Sequence, residues 1–167
     1  MSGMHKFKSI LILILYTTTV KTAFAQQPVA AGNENLTAVQ ATVDGLFKAM
    51  YQNDSAALTA LFAENARLLA ITNHGDKKIL VTETPADFAN AVGTPKTERW
   101  KEVPDYYKIE ADNELASVWC PYHFYIEENG AEQLIHCGVN SITLFFNGSK
   151  WLITQITDTR SEAACKE

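Results

Sequence analysis

The chain has 167 residues, 47% of them hydrophobic and 20% charged, and its formal net charge is −5. This length and composition are those of one globular domain and exclude a disordered chain. The acidic balance and the lack of a Lys/Arg cluster in the sequence argue against binding to nucleic acid or to an anionic membrane surface.

The first 25 residues have the composition of a secretory signal peptide. Lys6 and Lys8 precede a short apolar run at residues 10–16, and Ala23-Phe24-Ala25 forms a small-x-small cleavage site before Gln26. The run is much shorter than the roughly 20 apolar residues of a membrane-spanning helix. We therefore predict an exported protein, periplasmic or secreted, with no membrane contact after cleavage. Cleavage removes three lysines and no acid, so the net charge moves from −5 to −8.

The next segment predicts two helices. Residues 26–34 are small and polar and indicate a flexible lead-in to a domain over residues 35–162, followed by a tail at 163–167. Apolar residues then recur at three- and four-residue intervals, which is typical of an amphipathic helix: Val39, Val43, Leu46, Phe47 and Met50. Asp54 offers a cap for a second, short helix that carries Leu58, Leu61 and Phe62.

The middle of the chain predicts two strands and a third helix. Residues 67–72 and 78–83 are short β-type runs, and the polar residues 73–76 between them have a turn composition. In the segment Thr84-Pro85-Ala86-Asp87, Thr84 suits a helix cap, Pro85 suits the first helical position, and Asp87 completes a capping box. We therefore expect a helix from Pro85 to about Gly93.

From residue 99 onward the pattern indicates strands. Asn129-Gly130 and Asn147-Gly148 lie between β-type runs, which is the strongest short signal for a hairpin. About four long antiparallel strands are expected there. The predicted fold class is therefore α+β: a roll in which a curved antiparallel sheet packs on the N-terminal helices.

The hairpin register predicts which side chains share a face of this sheet. If both Asn-Gly turns are two-residue loops, His123 lies directly opposite His136, and Asn140 lies opposite Trp119 and Gln155. Two opposed imidazoles among aromatic and amide side chains are typical of a ligand pocket with proton-transfer capacity. The predicted ligand-binding set is Trp119, His123, Tyr125, His136, Asn140 and Gln155. A structural, hydrogen-bonded His pair is the alternative.

The same register places many apolar residues on the other face of the sheet. Tyr122, Phe124, Val139, Phe145 and Ile156 are expected there, and a large exposed apolar face favours a homodimer. Asp158 also falls on that face by this register, so the predicted pocket contains no sheet carboxylate. Two histidines without a third ligand do not form a metal site, and no cofactor motif is present.

The three cysteines indicate one disulfide in an exported chain. Cys120 and Cys137 are only diagonal neighbours in the predicted register, which is poor geometry for a bridge. Cys165 follows the last strand closely and lies near the strand position opposite Cys137. We therefore predict a Cys137–Cys165 bridge.

Two segments resemble the nuclear transport factor 2-like superfamily. The first runs from Ala49 through Leu58 to Ala66, with its Leu-x-x-Leu-Phe run before acid-Asn-Ala. The second, Ile135-His136-Cys137-Gly138-Val139 with residues 148–153 and 158–160, is similar to a bacterial branch of that superfamily labelled lumazine-binding. This resemblance implies the cone-shaped fold for most of the mature chain. It leaves function open, because the superfamily includes isomerases, dehydratases and many binding proteins.

Three functions follow from these observations. The first is an exported small-molecule-binding protein with an unknown ligand. The second is a cofactor-free lyase or isomerase that uses the His123/His136 pair as base and acid. The third is a non-catalytic interaction module in which Trp119 and Trp151 fill the space beside the histidines. An open cavity favours the first two functions over the third.

Overall fold

The computed structural model describes residues 32–161 and 163–166, so the predicted signal peptide and cleavage site lie outside the described residues. The helices are α1 (Asn33–Tyr51), α2 (Ser55–Thr59) and α3 (Pro85–Gly93). The strands are β1 (Phe62–His74), β2 (Lys77–Glu83), β3 (Arg99–Pro104), β4 (Lys108–Ala111), β5 (Leu115–Glu128), β6 (Ala131–Phe146) and β7 (Trp151–Thr159). A 3-10 helix, Ala163–Lys166, follows β7.

The helices form where their sequence signals place them. The predicted apolar stripe of α1 is buried along its whole length, although the helix begins at Asn33, inside the predicted lead-in. Asp54 caps α2 by accepting a hydrogen bond from the Ala57 amide. Thr84 and Asp87 form the predicted capping box of α3, with Pro85 in its first turn. No helix in the described part of the chain has the length and hydrophobicity needed to cross a bilayer.

All strands join one curved sheet in the order β2-β1-β7-β6-β5-β3, and β4 pairs with β5 beyond the end of β3. The predicted α+β class is therefore confirmed. One detail differs: β1 pairs with β7 in parallel, while every other pair is antiparallel. The helices cover one face of the sheet, which we call the inner face, and the core lies between them. The opposite face is called the outer face.

The two predicted hairpins turn out differently. Asn129 and Gly130 both have positive φ, and Glu128 pairs with Ala131, as a two-residue turn requires. The second turn is four residues long, since Phe146 pairs with Trp151 rather than with Ser149. Its cause is the Asn147 side chain, whose Oδ1 accepts hydrogen bonds from the Ser149 and Lys150 amides and stabilises a wider loop.

Two β-bulges shift the register of the sheet further. Tyr125 pairs with Leu134 and Phe124 pairs with His136, so Ile135 is an extra residue in β6. Similarly, Thr154 is an extra residue in β7. Each extra residue moves the following side chains to the opposite face. The prediction that His123 lies opposite His136 is therefore wrong, since His123 pairs with Cys137.

The expected composition of the apolar face is also corrected by these bulges. Tyr122 and Ile156 are buried on the inner face, and Phe124 lines the space beneath the helices. Large apolar side chains do remain exposed on other parts of the sheet, among them Leu115, Trp119 and Phe145, which are 56%, 49% and 36% exposed. The outer face therefore contains exposed apolar residues, but they are mostly not the ones that the sequence indicated.

The C-terminal end of β7 is held close to β6. Cys137 and Cys165 form a disulfide, the pair expected from the sequence, and Cys120 is free and buried. Gly138 allows the close approach, because a Cβ at that position would lie 1.8 Å from the carbonyl oxygen of Thr159. The position of Arg160, the next residue, is therefore fixed by a glycine contact and a covalent bridge.

Candidate functional site

A cavity of about 450 Å³ lies between the helices and the inner face of the sheet. Most of its wall is apolar, and the side chains come from both layers: Leu46, Phe47 and Met50 from α1, Phe88 from α3, and Leu68, Trp100, Phe124, Ile126 and Ile156 from the sheet. This volume and lining are typical of sites for small organic molecules.

Six polar residues form one part of the cavity lining, and we call them the polar cluster: Glu102, Tyr122, His136, Asn140, Asp158 and Arg160. Strand pairing explains how they meet. Glu102 on β3 and His136 on β6 both pair with Phe124 on β5, and Asn140 on β6 pairs with Asp158 on β7. Only the bulge at Ile135 turns His136 and Asn140 toward the cavity.

Two hydrogen-bonded pairs organise the polar cluster. The Asn140 amide donates a 2.5 Å hydrogen bond to Oε1 of Glu102. The Arg160 guanidinium donates to Asp158 through Nε at 2.6 Å and through Nη2 at 3.3 Å. Tyr122 adds a hydroxyl that donates to the Thr159 carbonyl at 3.0 Å and lies 3.4 Å from Asp158 Oδ2. These contacts hold acid, amide and guanidinium groups in fixed positions beside the apolar wall.

Burial changes the proton affinities of two residues in the polar cluster. Desolvation raises the pKa of Glu102 to about 7, and the negative charge of Asp158 adds to the rise, while the Asn140 hydrogen bond opposes it. Desolvation and the nearby Arg160 charge lower the pKa of His136. Glu102 is therefore half protonated near neutral pH, and His136 is a neutral imidazole there.

His136 is held by aromatic contacts rather than by hydrogen bonds. Its ring stacks on Phe124 with centroids 4.8 Å apart and meets the Tyr122 ring edge-on at 5.8 Å. Neither of its ring nitrogens has a hydrogen-bond partner in the part of the chain that the structure describes. Both nitrogens remain available to a molecule in the cavity.

Only part of the predicted ligand-binding set lines the cavity. His136 and Asn140 line the cavity, whereas Trp119, His123, Tyr125 and Gln155 do not. His123 instead contacts Asp105 at 3.0 Å and stacks on Tyr125 with centroids 6.4 Å apart. The regular alternation of β5 places these two side chains and Trp119 on the outer face, and the bulge at Thr154 turns Gln155 outward.

The expectation that the pocket lacks a sheet carboxylate is also wrong. Asp158 and Glu102 both line the cavity. The β7 bulge moves Asp158 to the inner face, and the alternation of side chains along β3 places Glu102 on the same face as Trp100. Trp151 is buried in the core and Trp119 is exposed, so neither tryptophan fills the cavity. Within the described residues, no three His, Cys, Asp or Glu side chains converge as a metal site would require.

Comparison with known proteins identifies the fold. No family model and no curated protein matches the sequence. Solved structures do match: an NTF2-like protein with a cystatin-like fold from Novosphingobium aromaticivorans has 13% identity and a TM-score of 0.61, covering 80% of this chain and 88% of its own. An NTF2-like protein from Cytophaga hutchinsonii has 16% identity and a TM-score of 0.59, covering 78% and 99%.

A third similar structure is a provisionally assigned dehydratase of the NTF2-like family from Streptomyces avermitilis. It has 12% identity and a TM-score of 0.58, and the match covers 77% of this chain and 97% of that one. Likeness at such low identity shows a shared fold. The chain therefore has the NTF2-like fold, as the sequence resemblance implies.

Proposed function

We propose that this chain is an exported protein that binds a small, largely apolar molecule in the cavity beneath its helices. The observation that carries the proposal is the cavity itself, because its apolar wall meets polar groups whose hydrogen-bonding capacity is only partly used. Oε2 of Glu102, Nη1 of Arg160 and both ring nitrogens of His136 have no protein partner among the described residues. The side chains that carry these atoms line the cavity, so the atoms are free to bind polar groups of a ligand.

The composition of the wall supports a ligand with an aromatic or aliphatic body. Trp100 and Phe124 lie edge to face with centroids 6.5 Å apart, so their rings bound one side of the cavity with rigid aromatic surface. Met50, a flexible apolar side chain, lines the helix side. The lumazine-type ligand implied by the sequence resemblance is one test compound of suitable shape.

Binding is tested with N-phenyl-1-naphthylamine, a neutral dye that fluoresces in apolar sites. Ala70 lines the cavity from β1, so Ala70→Phe fills part of its volume. Ile71 is the next residue on the strand and is not part of the lining, so Ile71→Phe is a matched control. We expect saturable dye binding to the wild type and to Ile71→Phe, and loss of binding in Ala70→Phe. Equal binding by all three proteins would contradict the proposal.

Export rests on the composition of the first 25 residues. Mass spectrometry of the protein from its native host is expected to find Gln26 at the N-terminus. A chain that retains residues 1–25 would rule out a cleaved signal.

A second candidate function is proton transfer by a cofactor-free lyase or isomerase, with Glu102 rather than the predicted histidine pair as the base. The specific observation in its favour is a cavity carboxyl with a free oxygen and a pKa of about 7. In an isomerisation, Glu102 would take a proton from one substrate carbon and return it to another, so that no net proton is consumed.

The benzisoxazole elimination provides a substrate-independent test of this second function. Glu102 would remove the ring C–H proton of 5-nitrobenzisoxazole while the N–O bond breaks and releases a coloured cyanophenolate. We expect the rate to rise with pH around 7 and to disappear in Glu102→Gln. If Glu102→Gln reacts at the same rate as the wild type, the base is a residue other than Glu102.

We also propose a homodimer that forms through the outer face. Exposed apolar side chains there, Leu115, Trp119 and Phe145, would be covered by the same face of a second copy. Light scattering is expected to show a dimer for the wild type and a monomer for Trp119→Lys. A wild-type chain that remains monomeric at high concentration would contradict this assembly.

A further inference from the structure

The charged groups around the cavity are unbalanced. Four carboxylates line it, from Glu83, Glu98, Glu102 and Asp158, and within the described lining they face one cationic side chain, Arg160. Because Asp158 binds Arg160 through two nitrogens, the guanidinium charge is largely compensated before any ligand enters. Glu98 lies near the ammonium group of Lys96, so Glu83 and Glu102 are the carboxyl groups that make the site more attractive to cations than to anions.

Glu102 is the carboxyl group best placed to contact a ligand. Its Oε1 accepts the hydrogen bond from Asn140, which fixes the plane of the carboxyl group. Its Oε2 accepts no hydrogen bond from the residues that the structure describes. The side chain is half-buried, so a hydrogen bond from an incoming donor would be partly shielded from water.

The surroundings of Glu102 also suit a cation. Phe124 is its strand partner on β5, and Trp100 lies two residues before it on the same face of β3. Aromatic rings attract ammonium groups through their negative faces, and the ammonium group of Lys96 already lies 3.5 Å from the centroid of the Trp100 ring. An anionic ligand in the same place would meet these ring faces and a carboxylate.

We propose that the cavity selects ligands that carry a protonated amine on an apolar body, with Oε2 of Glu102 accepting a hydrogen bond from the ammonium group. This assignment rests on the proposed binding function and specifies its ligand class. The apolar body lies along the wall formed by the helices and β5, and the amine reaches the polar cluster. Desolvation raises the pKa of Glu102, and an ammonium group beside Oε2 would oppose that rise by supplying a positive charge.

The test is competition by three compounds with the same body and different head groups: 2-naphthylmethylamine, 2-naphthylmethanol and 2-naphthylacetate. Each displaces N-phenyl-1-naphthylamine from the wild type at pH 8, where Glu102 is ionised. We expect the amine to compete at concentrations about tenfold lower than the alcohol, because a hydrogen bond to a charged group is stronger than a neutral one. The carboxylate is expected to be the weakest competitor.

Two variants test whether Glu102 causes the preference for the amine over the alcohol. Glu102→Gln keeps the shape of the side chain and removes its charge, so the amine and the alcohol are expected to compete equally. Glu110→Gln is the matched control, since Glu110 lies at the surface on β4 and is 70% exposed. Equal competition by all three compounds in the wild type, or an amine preference that survives in Glu102→Gln, would overturn the inference. Failure of the neutral dye to bind would contradict the proposed function itself.

Discussion

The pKa of Glu102 makes a quantitative prediction about stability. The folded protein holds this proton up to a pH of about 7, whereas an unfolded chain releases it near its ordinary value of 4.5. The unfolded state therefore binds fewer protons between these values, and stability falls as the pH rises through the interval. A shift of this size means that Glu102 alone lowers the free energy of unfolding by about 2–3 kcal/mol between pH 5 and pH 8.

Denaturant titrations at pH 5 and pH 8 measure this effect when wild type and Glu102→Gln are compared. The glutamine oxygen still accepts from the Asn140 amide, so the variant keeps the hydrogen bond and has no titrating group. Between pH 5 and pH 8, the free energy of unfolding of Glu102→Gln is expected to rise by about 2–3 kcal/mol relative to that of the wild type. Glu110→Gln, at the surface, is expected to follow the wild type. The reasoning would be refuted if the free energies of unfolding of the wild type and Glu102→Gln changed by the same amount between the two pH values.

Three further predictions concern the end of β7 and the two histidines. Cys165→Ser removes a disulfide between residues 28 positions apart. We expect denaturant titration to show a free energy of unfolding lower by about 3–4 kcal/mol, and a reductant to have no further effect on this variant. Gly138→Ala must displace the Thr159 carbonyl, so we expect a loss of about 1–3 kcal/mol in the same assay, together with weaker dye binding. In dye titrations, His136→Ala is expected to weaken binding and His123→Ala to leave it unchanged, since only His136 lines the cavity. Equal weakening by both variants would contradict the placement of His123 on the outer face.

Local signals in the sequence were sufficient to predict the helices and most strands. The stripe from Val39 to Met50, the Asp54 cap and the Thr84–Asp87 capping box each depend on residues within one or two turns of a helix. The Asn129-Gly130 turn is equally local, because its two positive φ angles are a property of that dipeptide. These features require no knowledge of the rest of the chain, so sequence alone predicts them.

The candidate site could be predicted only in part, because its residues meet through long-range register. The sequence grouped His136 and Asn140, which both line the cavity of the structure, with four residues that lie on the outer face. The cause was one extra residue in β6, Ile135, and one in β7, Thr154. A β-bulge has no distinct sequence signature here, since both residues are ordinary β-formers, and a single insertion reverses every face assignment beyond it.

Glu102 was missed although the sequence contained a usable signal. In the strand Arg99–Pro104, Trp100 and Glu102 stand two residues apart, so a strand that buries the tryptophan also turns the acid inward. A carboxyl in that position is unfavourable for folding, as its raised pKa shows. Because side chains alternate along a strand, Glu102 faces the same largely apolar wall as the half-buried Trp100. A carboxyl group in that wall packs poorly. Poor packing of this kind is expected where binding or chemistry rather than stability determines the residue, and this is the reason to test Glu102 before any other position in the cavity.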